Sequence, residues 1–198
     1  MSSGAVPSAS APTLVGQLWP SRPDPRLAAL RAGVLMVLGT LFLAISAKVQ
    51  VPFYPVPMTM QTLVVLVLGA TYGARLGGAT VLLYLAEGLA GLPVFAGPAA
   101  GPAYMAGPTG GFLVGFAAAA FVTGWLSEQG WNRGLLRVVA LMVLGHAVIF
   151  AFGLGWLATL LPAQKVWAAG AAPFLAATAL KTALAAALLH GAAVLTRR

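Results

Sequence analysis

The chain has 198 residues, 60% of them hydrophobic and 7% charged, with a mean hydropathy of +0.94 and a formal net charge of +8. A soluble domain carries roughly 25% charged residues, so water is excluded as the solvent for most of this sequence. Cysteine is absent, which excludes disulfides, thiolate metal sites and cysteine nucleophiles, and the basic residues lie singly between apolar runs rather than in the patch that nucleic acid would need.

Residues 1–26 are rich in Pro, Ser and Ala and read as a mobile cytoplasmic tail. No short basic start precedes a brief apolar run there, so a cleaved signal peptide is not expected. Pro, Gly and charge then divide the chain into apolar runs at 27–46, 58–71, 76–92, 109–126, 136–161 and 167–195. A hydrocarbon core about 30 Å thick needs about 20 helical residues per crossing. The expected fold is therefore all-α: residues 27–198 form a single integral membrane bundle of six transmembrane helices, with no second, soluble domain. A β-barrel would require alternating polarity, which these uniformly apolar runs lack.

With six crossings, Arg22, Arg26, Arg31, Arg75, Arg133, Arg137, Arg197 and Arg198 all fall on one side, while Lys48 and Lys165 fall on the other. The positive-inside bias makes both termini cytoplasmic. The outer loops are then 49–57, VQVPFYPVP, and 92–111, LPVFAGPAAGPAYMAGPTGG. Three prolines bar regular helix from the first, and the second is too rich in Gly and Pro for a span. Their aromatic residues Phe53, Tyr54, Phe95 and Tyr104 suit either a lid over an outward-facing pocket or a membrane-level belt.

Small residues four apart (Ala28 and Ala32; Gly69, Gly73 and Gly77; Gly111 and Gly115; Ala179, Ala183 and Ala187) allow close helix approach, within the fold or against a partner. Ionisable residues inside spans are functional candidates, because their burial in lipid costs several kcal/mol. Glu87 lies roughly 8 Å and Lys181 roughly 12–16 Å from the outer ends of their helices, at 1.5 Å per residue. Gln61, Thr178 and Thr109 fall at a similar level. Together they suit a largely apolar small ligand bearing a carboxylate: Lys181 would attract the carboxylate, while Gln61 and Thr178 bond a polar head. The open backbone donors at the start of the fourth span, Gly-Pro-Thr-Gly-Gly, add a positive dipole end. The alternatives are a Glu87–Lys181 ion pair that neutralises itself, and ordinary interhelical hydrogen bonds for Gln61 and Thr178. His146 and His190 stand in different spans with no acidic neighbour, so packing or a carbonyl bond is preferred to a metal site.

No G-x-x-x-x-G-K-[ST] loop occurs, and three acidic residues nearly rule out a paired-carboxylate site. No catalytic group or metal site is expected. No matched pair of interrupted helices marks a secondary transporter, so the energy for any transport comes from elsewhere.

The runs VPFYPVPMTMQTLVVLVLGATYGARLG, LLYLAEGLAGLPVFAG and GPTGGFLVGF, with PFLAATALK near the C-terminus, closely resemble the BioY family. Its members are the biotin-specific S components of energy-coupling factor transporters, bacterial plasma-membrane vitamin importers. The resemblance implies six helices, an extracellular pocket under the first and third outer loops, and no cofactor beyond biotin as the transported ligand. It implies partnership with a transmembrane coupling subunit and two ATP-binding-cassette ATPases, or assembly of the chain with itself when it acts alone. Ala28 and Ala32 occupy the place of the family's coupling-subunit contact, and Lys181 that of a vitamin-associated lysine. The match is incomplete. Many members carry P-G-D-x-x-K where Ala176, Ala177 and Thr178 precede Lys181 here. Some carry Arg where Leu113 stands, and Asn near Ala99. Glu87 would supply one missing acceptor. The departures keep open an S component for another carboxylated vitamin. Two readings from other classes are an intramembrane lipid-modifying enzyme and a purely structural membrane subunit.

Overall fold

The computed structural model describes residues 13–20 and 23–195. Expectations placed on residues 1–12, 21–22 and 196–198, including Arg22, Arg197 and Arg198, lie outside the described residues. In chain order the elements are α1 (Leu14–Leu18), α2 (Pro25–Lys48), β1 (Gln50–Val51), β2 (Met58–Thr59), α3 (Gln61–Tyr72), α4 (Ala74–Leu89), α5 (Pro102–Met105), α6 (Gly110–Leu126), α7 (Leu135–Leu157), α8 (Ala163–Gly170) and α9 (Leu175–Leu195).

The six apolar runs correspond to α2, α3, α4, α6, α7 and α9. By length and composition, four stretches are able to cross a membrane: Pro25–Lys48, Gly110–Trp131, Leu135–Leu157 and Ala163–Val194. Helices α3 and α4 are shorter, at 12 and 16 residues. Helix α7 ends at Leu157, and the last run is not continuous: a 3₁₀ turn at Ala172–Phe174 separates α8 from α9. Pro173 lacks an N–H and restricts the residue before it, so the chain turns there. Lys181 therefore lies only about 9 Å along α9 from its start, not 12–16 Å.

Residues 13–20, part of the segment read as a tail, include a short helix packed on the bundle. Thr13 caps α1 by accepting the Gly16 N–H at 3.1 Å, and Leu14 is buried in the core. Arg31 of α2 donates to the Val15 carbonyl at 3.2 Å and stands 5.7 Å from the Trp19 ring centre. Helix α2 starts at Pro25, two residues earlier than expected, because Asp24 accepts the Arg26 N–H at 2.8 Å and proline fits the first helical turn.

Helix α6 is central, packing on α3, α4 and α7, while α2 lies at the periphery against α4 and α3. Val37, Leu41, Phe42 and Ile45 of α2 are exposed, as residues facing hydrocarbon would be. Glycines set the close approaches. A Cβ at Gly69 would come within 2.9 Å of Ala120 Cα, one at Gly77 within 3.0 Å of Gly69 Cα, and one at Gly115 within 3.2 Å of Ile149 Cα. Gly73 turns α3 into α4 with φ of +88°, and Glu128 accepts the Ala74 N–H at 3.0 Å, satisfying an open donor of α4. The glycine repeats thus serve internal packing. Ala28 and Ala32 are half-buried, and Ala179, Ala183 and Ala187 are exposed.

Overpacking a close helix contact costs about 1–3 kcal/mol. Gly69→Val is therefore expected to lower the melting temperature of the detergent-purified protein, whereas Gly33→Val, where a Cβ meets nothing within 4 Å, leaves it unchanged. Thermal unfolding monitored by tryptophan fluorescence checks both.

Candidate functional site

Two connections meet at the end of the bundle where α3, α6 and α9 begin. Between α2 and α3, β1 and β2 pair antiparallel, Gln50 with Thr59 and Val51 with Met58, around a proline-rich tip. Between α4 and α6 the chain is irregular apart from α5, as its Gly and Pro content requires.

This second connection is held by specific bonds. Lys48 Nζ, at the end of α2, donates to the carbonyls of Phe95 and Gly97, each at 2.8 Å. Gly101 N–H donates to the Gly88 carbonyl at 2.7 Å, and Trp156 Nε1 donates to the Gly107 carbonyl at 2.9 Å. A buried chain runs inward from it: Tyr84 Oη donates to the Val94 carbonyl at 2.8 Å, Gln61 Nε2 donates to Tyr84 Oη at 2.7 Å, and Thr59 Oγ1 donates to Gln61 Oε1 at 3.0 Å. Phe95 is 0% exposed, edge-on to Tyr84 at 5.5 Å and stacked on Tyr104 at 5.1 Å. Only a glycine at position 88 leaves room for that ring.

Beneath these segments lies a cavity with about 590 Å³ of empty space, part of it open to solvent. Val56, Pro57 and Met58 of the hairpin, with Ala96 and Tyr104, form its roof. Phe112, Phe116, Ile149, Phe150 and Phe174 supply most of its apolar wall, and Thr59, Gln61, Thr62, Thr109, His146, Thr178 and Lys181 its polar groups. Burial pushes the Tyr104 phenol above the usual tyrosine range, opposed by bonds with the Thr109 side chain and the Ala96 backbone.

Lys181 is 7% exposed. Its Nζ donates to the Thr59 carbonyl at 2.6 Å and to Thr62 Oγ1 at 3.2 Å. An ammonium has three donors, so these bonds leave one unused. Among the described residues no carboxylate oxygen lies within 4 Å of it, and the alternative of a Glu87–Lys181 ion pair is not formed.

Of the residues singled out from the sequence, Lys181, Thr178, Gln61, Thr109 and Tyr104 line this one cavity. Gln61 also makes the interhelical bond that was its alternative. Phe95 sits behind the wall, propping Tyr104, and Phe53 stands at the rim with its ring 6.3 Å from that of Phe174. Tyr54 is 96% exposed, and Glu87 is half-buried on α4; neither is in the wall. Leu113 is a buried wall residue, so the wall is apolar there. Sequence reasoning missed Thr59, Thr62 and His146. The hydroxyls sit in the loop and first turn beside Gln61, where only the fold brings them to Lys181. His146 makes the carbonyl bond expected of it, to Met142 at 3.0 Å, but also faces the cavity. Among the described residues no cluster of three or more metal-ligating side chains occurs.

Comparison with known proteins gives a consistent set of similarities. The family described as BioY matches residues 21–198. The chain is 43% identical over 140 residues to the biotin transporter BioY of Rhizobium etli, covering 67% of this chain and 72% of that one. It is 34% identical over 151 residues to the probable biotin transporter BioY of Pyrococcus horikoshii, covering 76% and 89%. The 2.1 Å crystal structure of the S-component for biotin from an ECF-type ABC transporter superposes with a TM-score of 0.74 at 20% identity, covering 85% of this chain and 93% of that one, which establishes the shared fold.

Removing the Tyr84 hydroxyl strands the Gln61 amide and the Val94 carbonyl, and an unsatisfied buried polar group costs about 1–3 kcal/mol. Tyr84→Phe is expected to speed amide hydrogen exchange across residues 92–101 while leaving α6 and α7 protected, as mass spectrometry of exchanged peptides would read out.

Proposed function

This chain belongs to the BioY family, and on that premise we propose that it is the biotin-capturing S component of an energy-coupling factor importer, a transport subunit and not an enzyme. The observation that carries the reading is Lys181, a buried amine with an unused donor and no carboxylate partner, in the wall of an otherwise apolar cavity. Biotin is an apolar chain and bicyclic ring with a carboxylate at one end. Its carboxylate completes the Lys181 donor set, a charge-assisted bond worth roughly twice a neutral one. Its chain and ring lie against Phe112, Phe116, Ile149, Phe150 and Phe174, and Thr178 and Thr109 offer hydroxyls to the polar atoms.

The membrane arrangement is six crossings, α2, α3, α4, α6, α7 and α9, with both termini cytoplasmic and the cavity facing out, under the hairpin and the 92–109 connection. Supporting it, Arg26, Arg31, Arg75, Arg133 and Arg137 lie at the end of the bundle away from the cavity, and Lys48 and Lys165 at the cavity end. The short α3 and α4 cross because they are packed on other helices, which hold their ends within the protein. Residues 27–198 are assigned to the substrate-binding domain, and residues 1–26 to the segment before it. The transmembrane coupling subunit docks at the half-buried Ala28 and Ala32, and two ATPases beneath it drive release of biotin inward. The chain needs no cofactor.

Lys181→Met is expected to weaken biotin binding by about 100-fold, the scale of one buried charge-assisted contact. Biotin methyl ester should bind the unaltered protein as weakly as biotin binds the variant, and gain nothing further from the substitution. Equilibrium titration of the detergent-purified protein measures both. Undiminished affinity in the variant, or full affinity for the ester, contradicts the reading. Competition by another carboxylated vitamin at lower concentration than biotin reassigns the substrate.

A further inference from the structure

Among the described residues, the buried side-chain polar atoms without a hydrogen-bond partner are Arg31 Nε, Asn132 Oδ1 and His146 Nε2. The first two lie at the far end of the bundle. His146 is in the cavity wall and is 4% exposed. The Met142 carbonyl favours one tautomer of its ring. Nδ1 stands 3.0 Å from the Met142 carbonyl of the preceding turn. A carbonyl only accepts, so Nδ1 carries the proton, and Thr182 Oγ1 lies 3.3 Å from the same nitrogen. The neutral ring then bears its lone pair on Nε2, the nitrogen without a partner. A buried acceptor left unpaired is unfavourable, and in a cavity wall it is most simply satisfied by a ligand N–H.

We propose that His146 Nε2 accepts a hydrogen bond from a ureido N–H of the ligand ring, making His146 the residue that selects a neutral cyclic urea head group. The inference rests on the biotin reading and extends it to the opposite end of the ligand. Lys181 Nζ bonds to Thr59 and Thr62 at the start of α3, and Thr182, the residue after it, lies 3.3 Å from His146 Nδ1, so the amine and the imidazole belong to one cavity wall. The acceptor also fills a chemical gap, since Thr178 offers only a hydroxyl to the cavity and Leu113 no polar group.

The test is equilibrium binding to the purified full-length protein of biotin, desthiobiotin, which keeps both ureido N–H groups, and the two biotins methylated singly at a ureido nitrogen. One methylated isomer is expected to bind about tenfold more weakly than biotin, the scale of one lost hydrogen bond in a buried site. His146→Leu should weaken biotin and desthiobiotin by a similar factor and leave that isomer's affinity unchanged. His146→Gln, whose amide oxygen reaches the Nε2 position, should recover part of the loss. The proposal is overturned if the unaltered protein binds both methylated isomers as tightly as biotin, a result that needs no variant to fold. It is also overturned if His146→Leu binds biotin at full strength, or weakens all four ligands equally. Failure of the unaltered protein to bind biotin at all instead removes the biotin reading on which the proposal stands.

Discussion

The structure turns on an amine buried among apolar side chains with no carboxylate to meet it. Water would solvate an ammonium far better than the Thr59 carbonyl and Thr62 hydroxyl do, and bringing a charge into a low-dielectric interior costs several kcal/mol even after relaxation. A fold keeps such a group when something else completes it. The chain has three acidic residues, of which Glu87 stands apart and Glu128 is committed to the start of α4, so none of them completes the amine, and the proposed biotin carboxylate would. The same economy makes the site selective. Ligands without an anion leave Lys181 as they find it, and anions without an apolar body gain nothing from the phenylalanine wall.

The remainder of the cavity end keeps that amine away from bulk water. Lys48, the second lysine on this side, is spent on the carbonyls of Phe95 and Gly97, so it fastens the roof instead of competing for the ligand. The Thr59–Gln61–Tyr84–Val94 chain joins the hairpin, α3, α4 and the roof through hydrogen bonds among buried groups, where each is strengthened by the low dielectric. Phe95 then transmits the position of α4 to Tyr104 by stacking.

How far the sequence discloses this follows from what lipid does to pattern. The six apolar runs are legible because hydrocarbon demands length and apolarity, and the proline-laden connections because they cannot be helix. Helix rotation is not legible: protein-facing and lipid-facing sides are both apolar, so no polar face marks the inside. That is why Lys181, Thr178, Gln61, Thr109 and Tyr104, identifiable by polarity or motif, are found in one wall, while Glu87 and Tyr54, chosen by the same criteria, point elsewhere. It is also why His146 was set aside. Its proton goes to a carbonyl on its own helix, a bond any buried histidine makes, and only the arrangement of α7 against α6 and α9 brings its ring into the cavity wall. The break at Pro173 was available in the sequence but masked by the apolar residues around it. The packing of residues 13–20 on the bundle rests on Leu14 and on the bond from Arg31 of α2, neither of which composition reveals.

The chain contains three lysines, so selective ¹⁵N labelling of lysine gives few signals to assign. Dipolar recoupling by solid-state NMR between lysine ¹⁵Nζ and biotin carrying ¹³C at its carboxyl carbon, in protein reconstituted in bilayers, measures the central contact directly. A Lys181 Nζ to carboxyl-carbon distance of about 3–4 Å is expected for a charge-assisted hydrogen bond. A separation beyond about 6 Å, or coupling to Lys48 or Lys165 instead, is too long or misplaced for such a bond and contradicts the account.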